Sequence, residues 1–202
     1  IQRHIAAKIA TWGKRACRAL GVDNPHQQAA AEGEVVRLFD ALERQLHITP
    51  YAMGDCPTAV DATLIGGLRA HFLNDPVPRR LLSAYPKVLT WAERATAETT
   101  RGALPSFPDT TDFGRFILAE LTGPYRTMLL GNASALQASD RSFTVDVYGA
   151  PQSYLTRAYP ECSRQLINEA IGSLPLAEQG RLEGWLMRQG LAEVFTTPSE
   201  VR

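Results

Sequence analysis

The chain has 202 residues, enough to bury a sizeable hydrophobic core as one domain or as one domain with an extension. Its 21 basic and 21 acidic side chains give a formal net charge of zero, so overall charge gives no reason to expect nucleic acid or an anionic membrane as a partner. We find neither an apolar run long enough to span a bilayer nor a charged-then-apolar leader, and we expect no membrane partner.

The three cysteines, Cys17, Cys56 and Cys162, are odd in number and far apart, and they form no Cys-x-x-Cys motif. This usage is typical of reduced thiols, so we expect a cytoplasmic protein. The chain opens with Ile rather than Met, which fits a processed or partial chain equally well.

The first two segments each predict a helix. Ile5, Ile9, Trp12 and Ala16 lie on one stripe of a helix over residues 1–20. Residues 27–45 give the best amphipathic pattern in the chain, with one apolar face formed by Ala31, Val35, Leu38, Phe39, Leu42 and Leu46.

A turn over residues 47–57 leads into a helix start at Thr58. The Thr58 hydroxyl is placed to accept the backbone N–H of Asp61, and the Asp61 carboxylate to accept the N–H of Thr58. This predicts a structural capping box, with a catalytic carboxylate at Asp61 as the less favoured interpretation. A cap of this kind stabilises a helix by about 1 kcal/mol.

The helix that follows places Ala62, Ile65, Leu68 and Phe72 on one predicted buried face. Gly66 and Gly67 each cost about 1 kcal/mol relative to Ala within a helix, so the pair predicts close packing of another backbone. Prolines end this helix near residues 74–78, and two shorter helices are predicted over residues 79–85 and from Pro86 onward.

The remaining segments are again mainly helical. A polar stretch over residues 96–108 predicts a boundary, and a helix from Asp112 is kinked or broken at Gly123-Pro124 before it continues to residue 138. A short extended segment is compatible with the alternation over residues 143–147. Helices are predicted over residues 154–171 and 176–189, with Gly190 as the C′ residue of the last one.

No motif in the sequence predicts catalytic or metal chemistry. The four histidines form no His-Glu-x-x-His motif and no zinc-like cluster with cysteine. There is also no Gly-x-Ser-x-Gly elbow and no phosphate-binding glycine loop. We therefore assign no catalytic residue, no metal site and no cofactor to this chain.

The run from Tyr51 to Asp61, then Asp75-Pro76, then Tyr85-Pro86 with Trp91 and Arg94, resembles the C-terminal helical domain of glutathione S-transferases. The resemblance implies an all-α fold: a transferase C-terminal-type helical bundle with a helical C-terminal extension. It divides the chain into a core over residues 1–104 and an extension over residues 105–202. The long tail is similar to that of a bacterial transferase-like subgroup whose members mostly lack an assigned substrate.

In that family an N-terminal thioredoxin-like domain activates the thiol of glutathione, and nothing in this sequence resembles that domain. The resemblance therefore implies the apolar side of a site for a small hydrophobic or electrophilic ligand, with Ile5, Ile9 and Trp12 as the nearest candidate pocket wall or, alternatively, as core. Glutathione is the implied co-substrate if the thioredoxin-like domain exists. The family habit is a homodimer. The alternative is a non-catalytic protein-interaction or assembly module.

Overall fold

A computed structural model describes residues 2–94 and 102–195, with side chains from residue 11 onward. The helices are α1 (Gln2–Ala19), α2 (Pro25–Leu46), α3 (Ala59–Gly67), α4 (Pro76–Leu82), α5 (Pro86–Glu93), α6 (Asp112–Glu120), α7 (Arg126–Gln137), α8 (Ala158–Gly172) and α9 (Leu176–Arg188). Short π-helical segments extend α3 through Leu68–Phe72 and join α6 to α7 through Leu121–Tyr125. Strands β1 (Ser142–Val147) and β2 (Ala150–Leu155) form one antiparallel hairpin.

The predicted mainly helical fold is confirmed, with one correction to the all-α prediction. The extended segment suggested at residues 143–147 is strand β1. Its partner β2 includes Tyr154 and Leu155, which the sequence pattern had assigned to the start of a helix. That helix, α8, begins only at Ala158.

By its internal contacts the chain divides into two compact units. The internal unit is Gly33–Leu118, and the terminal unit combines Ile1–Glu32 with Ala119–Arg202. The division predicted from the resemblance, into residues 1–104 and 105–202, is based on sequence similarity and not on contacts. It stays a prediction.

The core of the internal unit forms around the apolar face predicted for α2. Phe39 is 2% exposed, and its ring meets Phe72 and Tyr85 edge-on at centroid distances of 5.1 and 5.3 Å. Other fully or nearly fully buried members of this core are Leu42, Leu82, Val88, Trp91 and Phe113. Aromatic edge contacts of this kind add stability beyond the buried area alone.

The face of α3 that was predicted to be buried is only partly buried in the structure. Leu68 is buried as expected, but Ala62 is exposed. Gly66 and Gly67 are exposed too, and a Cβ atom added to either would meet nothing within 4 Å among the described residues. The predicted close backbone approach at these glycines is therefore wrong, since the described part of the chain leaves this face open.

In the terminal unit, the hairpin turns at Tyr148 and Gly149, whose φ angles of 56° and 76° give the two left-handed residues of a tight turn. The turn lies against the start of α2, where the Gln27 side-chain amide donates to the Val147 carbonyl at 3.1 Å. The Phe143 ring of β1 stacks on its cross-strand partner Tyr154 at 5.5 Å. The hairpin is thus a packed part of the terminal unit.

Two further sequence predictions in the terminal unit are confirmed. Gly123 has non-helical backbone angles (φ −90°, ψ −125°), and with Pro124 it interrupts the helix between α6 and α7 as predicted. Gly190, with a φ of 70°, follows the C-cap Gln189 of α9 as its C′ residue. Among the described residues, no helix is both long and apolar enough to cross a membrane.

Candidate functional site

The terminal unit contains an open groove of about 610 Å³, which we call the α1–β2 groove. Its apolar lining is Trp12, Ala16, Ala19, Leu20 and Leu155. Arg15 on α1 and Arg157 just after β2 supply the charged part of the lining. The volume lies within the range of about 300–1,000 Å³ that is usual for small-molecule sites.

The apolar residues of this groove are unusually open to solvent for their type. Trp12 is 71% exposed, Leu20 52% and Leu155 44%. Covering them would remove apolar surface from water at a gain of about 25 cal/mol for each Å² buried. The groove therefore favours an occupant with a sizeable apolar part.

Gly21, just after the C-terminus of α1, allows the close contact that positions β2 at the groove. Gly21 has a φ of 69°, and a Cβ atom there would lie 2.4 Å from the Tyr154 ring. Only glycine combines this backbone conformation with so close an approach. The contact seats β2 against the end of α1, which sets the spacing of the two walls.

Arg157 is held in place through its backbone by Asn132 on α7. The buried Asn132 side chain donates from Nδ2 to the Arg157 carbonyl and accepts the Arg157 N–H at Oδ1, both at 2.9 Å. A pair of bonds from one amide restrains both position and orientation. The Arg157 side chain is exposed, and the residue forms part of the groove lining.

The charges at the groove have one sign. Among the described residues, neither the Arg15 nor the Arg157 side chain makes a hydrogen bond or ion pair. The sequence of α1 contains five Lys or Arg residues and no Asp or Glu. The zero net charge of the chain thus hides a basic segment, which favours an anionic group in the groove.

Of the three residues predicted as pocket wall, the structure places Trp12 in the α1–β2 groove. Ile5 and Ile9 belong to α1, but their side chains lie outside the described residues. Arg15, Leu155 and Arg157 were missed by sequence reasoning. The absence of acidic residues before Asp23 was an available signal for Arg15.

Thr58 and Asp61 lie in the internal unit, at the N-terminus of α3. The Asp61 carboxylate is 1% exposed and accepts the Thr58 N–H at 2.8 Å and the Thr58 hydroxyl at 2.7 Å through Oδ2. Its other oxygen accepts the Ala52 N–H at 2.8 Å. The carboxylate therefore joins the helix start to the preceding turn, and its oxygens are occupied by the protein itself.

The same turn is held from two further sides by buried polar groups. Thr111 donates its hydroxyl to the Ala52 carbonyl at 3.0 Å, and Gln45 donates to the Thr49 hydroxyl at 2.8 Å. The Arg94 guanidinium lies 5.6 Å from the centroid of the Tyr51 ring. Of the residues that carry the family resemblance, Tyr51, Thr58, Asp61 and Arg94 thus make contacts at this one turn.

A second cavity, of about 260 Å³, lies beside this turn. It is lined by Met53, Thr58, Ala59, Val60, Leu104, Pro105, Asp109 and Thr110. It brings together no pair of groups suited to acid–base or nucleophilic chemistry, so the α1–β2 groove is the better candidate. In the described part of the chain, no three His, Cys, Asp or Glu residues cluster in a way that could hold a metal ion.

Comparison with known protein families gives one match. Residues 25–94 match the family model described as "Glutathione S-transferase, C-terminal domain". No curated protein and no solved structure matches the chain. The matched segment begins at the first residue of α2 and ends just after α5, and it contains the Thr58–Asp61 pair together with Trp91 and Arg94.

Helix α1 and the hairpin that form the α1–β2 groove lie outside the matched segment. The match agrees with the resemblance carried by the turn, the capping pair and the later Trp–Arg pair. The chain therefore contains a glutathione S-transferase C-terminal domain, formed by residues 25–94.

Proposed function

We propose that this chain is the helical part of a glutathione S-transferase-like protein and supplies the hydrophobic substrate side of a conjugation or ligand-binding site. Two observations carry the proposal: the family match over residues 25–94 and, in the terminal unit, a groove lined by Trp12. The ligand is a small hydrophobic or electrophilic compound. Fold alone does not determine activity, so the groove is the feature that gives this chain its own ligand preference.

In the proposed mechanism the work is divided between two domains. A thioredoxin-like domain outside these 202 residues binds glutathione and stabilises its thiolate. This chain binds and orients the acceptor, with Trp12 as the largest apolar contact in the groove. A substrate held close to the thiolate reacts faster because part of the entropic cost is met by binding.

We also propose a bacterial origin, a cytoplasmic location and a homodimeric assembly. The chain continues for more than 100 residues beyond the matched segment, which supports the bacterial long-tailed subgroup. Cys17, Cys56 and Cys162 are free thiols, which supports a cytoplasmic protein. A homodimer is proposed from the habit of the family.

The test is isothermal titration calorimetry of the complete gene product with glutathione, followed by a chromogenic conjugation assay. We expect glutathione binding and measurable conjugation, and a raised KM for the acceptor in Trp12→Ala. Trp12→Phe, which keeps an aromatic ring, is the matched control and should stay near the wild-type KM. Absence of glutathione binding would remove the transferase proposal.

The second candidate is a non-catalytic interaction module. It is favoured by large apolar side chains exposed on α8 and α9: Tyr159 at 81%, Leu166 at 64%, Leu176 at 85% and Met187 at 70%. Where such side chains form one contiguous patch, they are typical of surfaces that meet another protein. A thioredoxin-like domain encoded before Ile1 would favour the transferase, and a native start near Ile1 would favour the module.

A further inference from the structure

We propose that the α1–β2 groove selects an amphipathic anion: a small molecule with an apolar body and one carboxylate-like group. The apolar body covers Trp12, Leu20 and Leu155, and the anionic group binds the guanidinium groups of Arg15 and Arg157. The inference rests on the proposed function for the assignment of the groove as the ligand side. It specifies the charge of the ligand that binds in the groove. Binding of this ligand does not depend on glutathione.

The first support is the charge of the groove. Arg15 and Arg157 come from different elements, and in the described ranges neither guanidinium has a protein partner. Guanidinium groups bind carboxylates through paired, charge-assisted hydrogen bonds that are stronger than neutral ones. No acidic residue occurs in the first 22 positions, so α1 itself offers no competing carboxylate.

The second support is that the groove is built before a ligand arrives. Asn132 holds both backbone groups of Arg157, and the Tyr154 ring lies directly against Gly21. A site whose backbone is already ordered loses less entropy on binding. These two contacts involve residues on either side of Leu155, so the apolar and charged parts of the β2 wall are positioned together.

A membrane surface is the main competing occupant, because a basic helix with an exposed Trp is also typical of interfacial helices. The groove favours a free molecule instead. Leu155 ends β2 and Arg157 follows it closely, so the exposed apolar residues of α1 face a second wall of the groove. The volume of this open groove, about 610 Å³, is in the range of small-molecule sites.

The experiment is a titration of the full chain followed by the indole N–H signal of Trp12 in two-dimensional NMR. Trp12→Phe assigns that signal, since the chain has three tryptophans. The probes are octanoate, octanol and octyltrimethylammonium, which share one apolar chain and differ in charge. We expect octanoate to bind at least tenfold more tightly than octanol, and the cation to bind most weakly.

Arg15→Gln and Arg157→Gln should each reduce the octanoate preference several-fold, and the double variant should abolish it. Arg18→Gln is the matched control, because Arg18 is exposed on the same helix but does not line the groove. It should leave the preference unchanged. Raising the salt concentration should weaken octanoate binding and leave octanol binding unaffected, because salt screens exposed charges.

Equal binding of octanoate and octanol at Trp12 would overturn the inference and leave the proposed apolar site standing. Equal effects of Arg18→Gln and Arg157→Gln would overturn it as well. A Trp12 signal that shifts only with vesicles of anionic lipid, and not with octanoate, would assign α1 to a membrane surface. Failure of glutathione binding, in contrast, removes only the transferase proposal, since octanoate selectivity is measured without glutathione.

Discussion

Asp61 accepts the backbone N–H of Ala52 at 2.8 Å across a separation of nine residues. The same carboxylate caps α3 by accepting the N–H of Thr58. One buried side chain therefore determines both where the helix starts and how the preceding turn lies against it. This relationship explains why an acidic residue is needed at this position without any contact to substrate.

Removing this carboxylate should destabilise the protein strongly. Asp61→Ala leaves the N–H groups of Ala52 and Thr58 without an acceptor, and we expect a loss of about 2–3 kcal/mol in the free energy of unfolding. Thr58→Ala should cost about 1 kcal/mol. Urea denaturation measures both, with the exposed Asp146→Ala as the control that should change little. Wild-type midpoints in both variants would contradict the structural role.

Two helical glycines should respond to alanine in opposite directions. A Cβ atom at Gly131 in α7 would lie 2.8 Å from the Phe143 and Val145 side chains, so Gly131→Ala should destabilise by about 1–3 kcal/mol. Gly66→Ala in α3 meets nothing within 4 Å and should stabilise by about 0.5–1 kcal/mol. Thermal unfolding of the two variants side by side gives the comparison. A destabilised Gly66→Ala would mean that something packs on that face after all.

Asn132 should matter more than a second buried asparagine on a neighbouring helix. Asn132→Ala removes both bonds to the Arg157 backbone and should cost about 1–3 kcal/mol. Asn168 is also buried, but its Oδ1 has no hydrogen-bond partner among the described residues, so Asn168→Ala should cost less. Urea midpoints compare the two variants. Equal losses of stability in the two variants would contradict the prediction, because the two bonds to Arg157 would then add no stability of their own.

The stability of the terminal unit should depend on pH through Glu161. Hydrogen bonds from Arg164, at 2.7 and 2.8 Å, hold the pKa of Glu161 below its usual value near 4.5. A lowered folded-state pKa adds stability above the unfolded-state pKa, and this stability is lost as the pH falls through the folded-state value. Glu161→Gln should therefore cost about 1 kcal/mol at neutral pH and converge with wild type in acid.

The control for this prediction is Glu169→Gln on the exposed side of the same helix. The urea midpoint of this variant should change with pH in parallel with the midpoint of the wild type. The measurement is the urea midpoint at intervals between pH 3 and pH 7. A Glu161→Gln deficit that persists unchanged into acid would mean that packing, rather than charge, explains the loss.

The parts of the structure that follow from local rules were predictable from sequence. Thr58 and Asp61 are three residues apart, so their geometry depends only on the helix that they begin. The amphipathic face of α2 likewise identified Phe39 and Leu42 as core. The C′ position of Gly190 and the helix break at Gly123–Pro124 follow from the local backbone preferences of glycine and proline.

The rest depended on contacts between distant residues. Tyr154 and Leu155 continue a helical pattern in sequence, but pairing with β1 makes them part of a strand. Short apolar segments of this kind do not distinguish helix from strand by periodicity alone. The candidate site has the same limitation, since Arg15 and Arg157 line one groove only because the hairpin returns to α1.

The terminal unit joins two ends of the chain, and this has a consequence for biosynthesis. The bonds from Asn24 to Gln152 and from Gln27 to Val147 connect residues 128 and 120 positions apart. On the ribosome, the start of α2 therefore emerges long before the strands that it contacts, whereas Gly33–Leu118 is continuous and can fold as it appears. Helix α1, which packs against β2, likewise stays accessible to nascent-chain-binding chaperones until Ala150–Leu155 has been made.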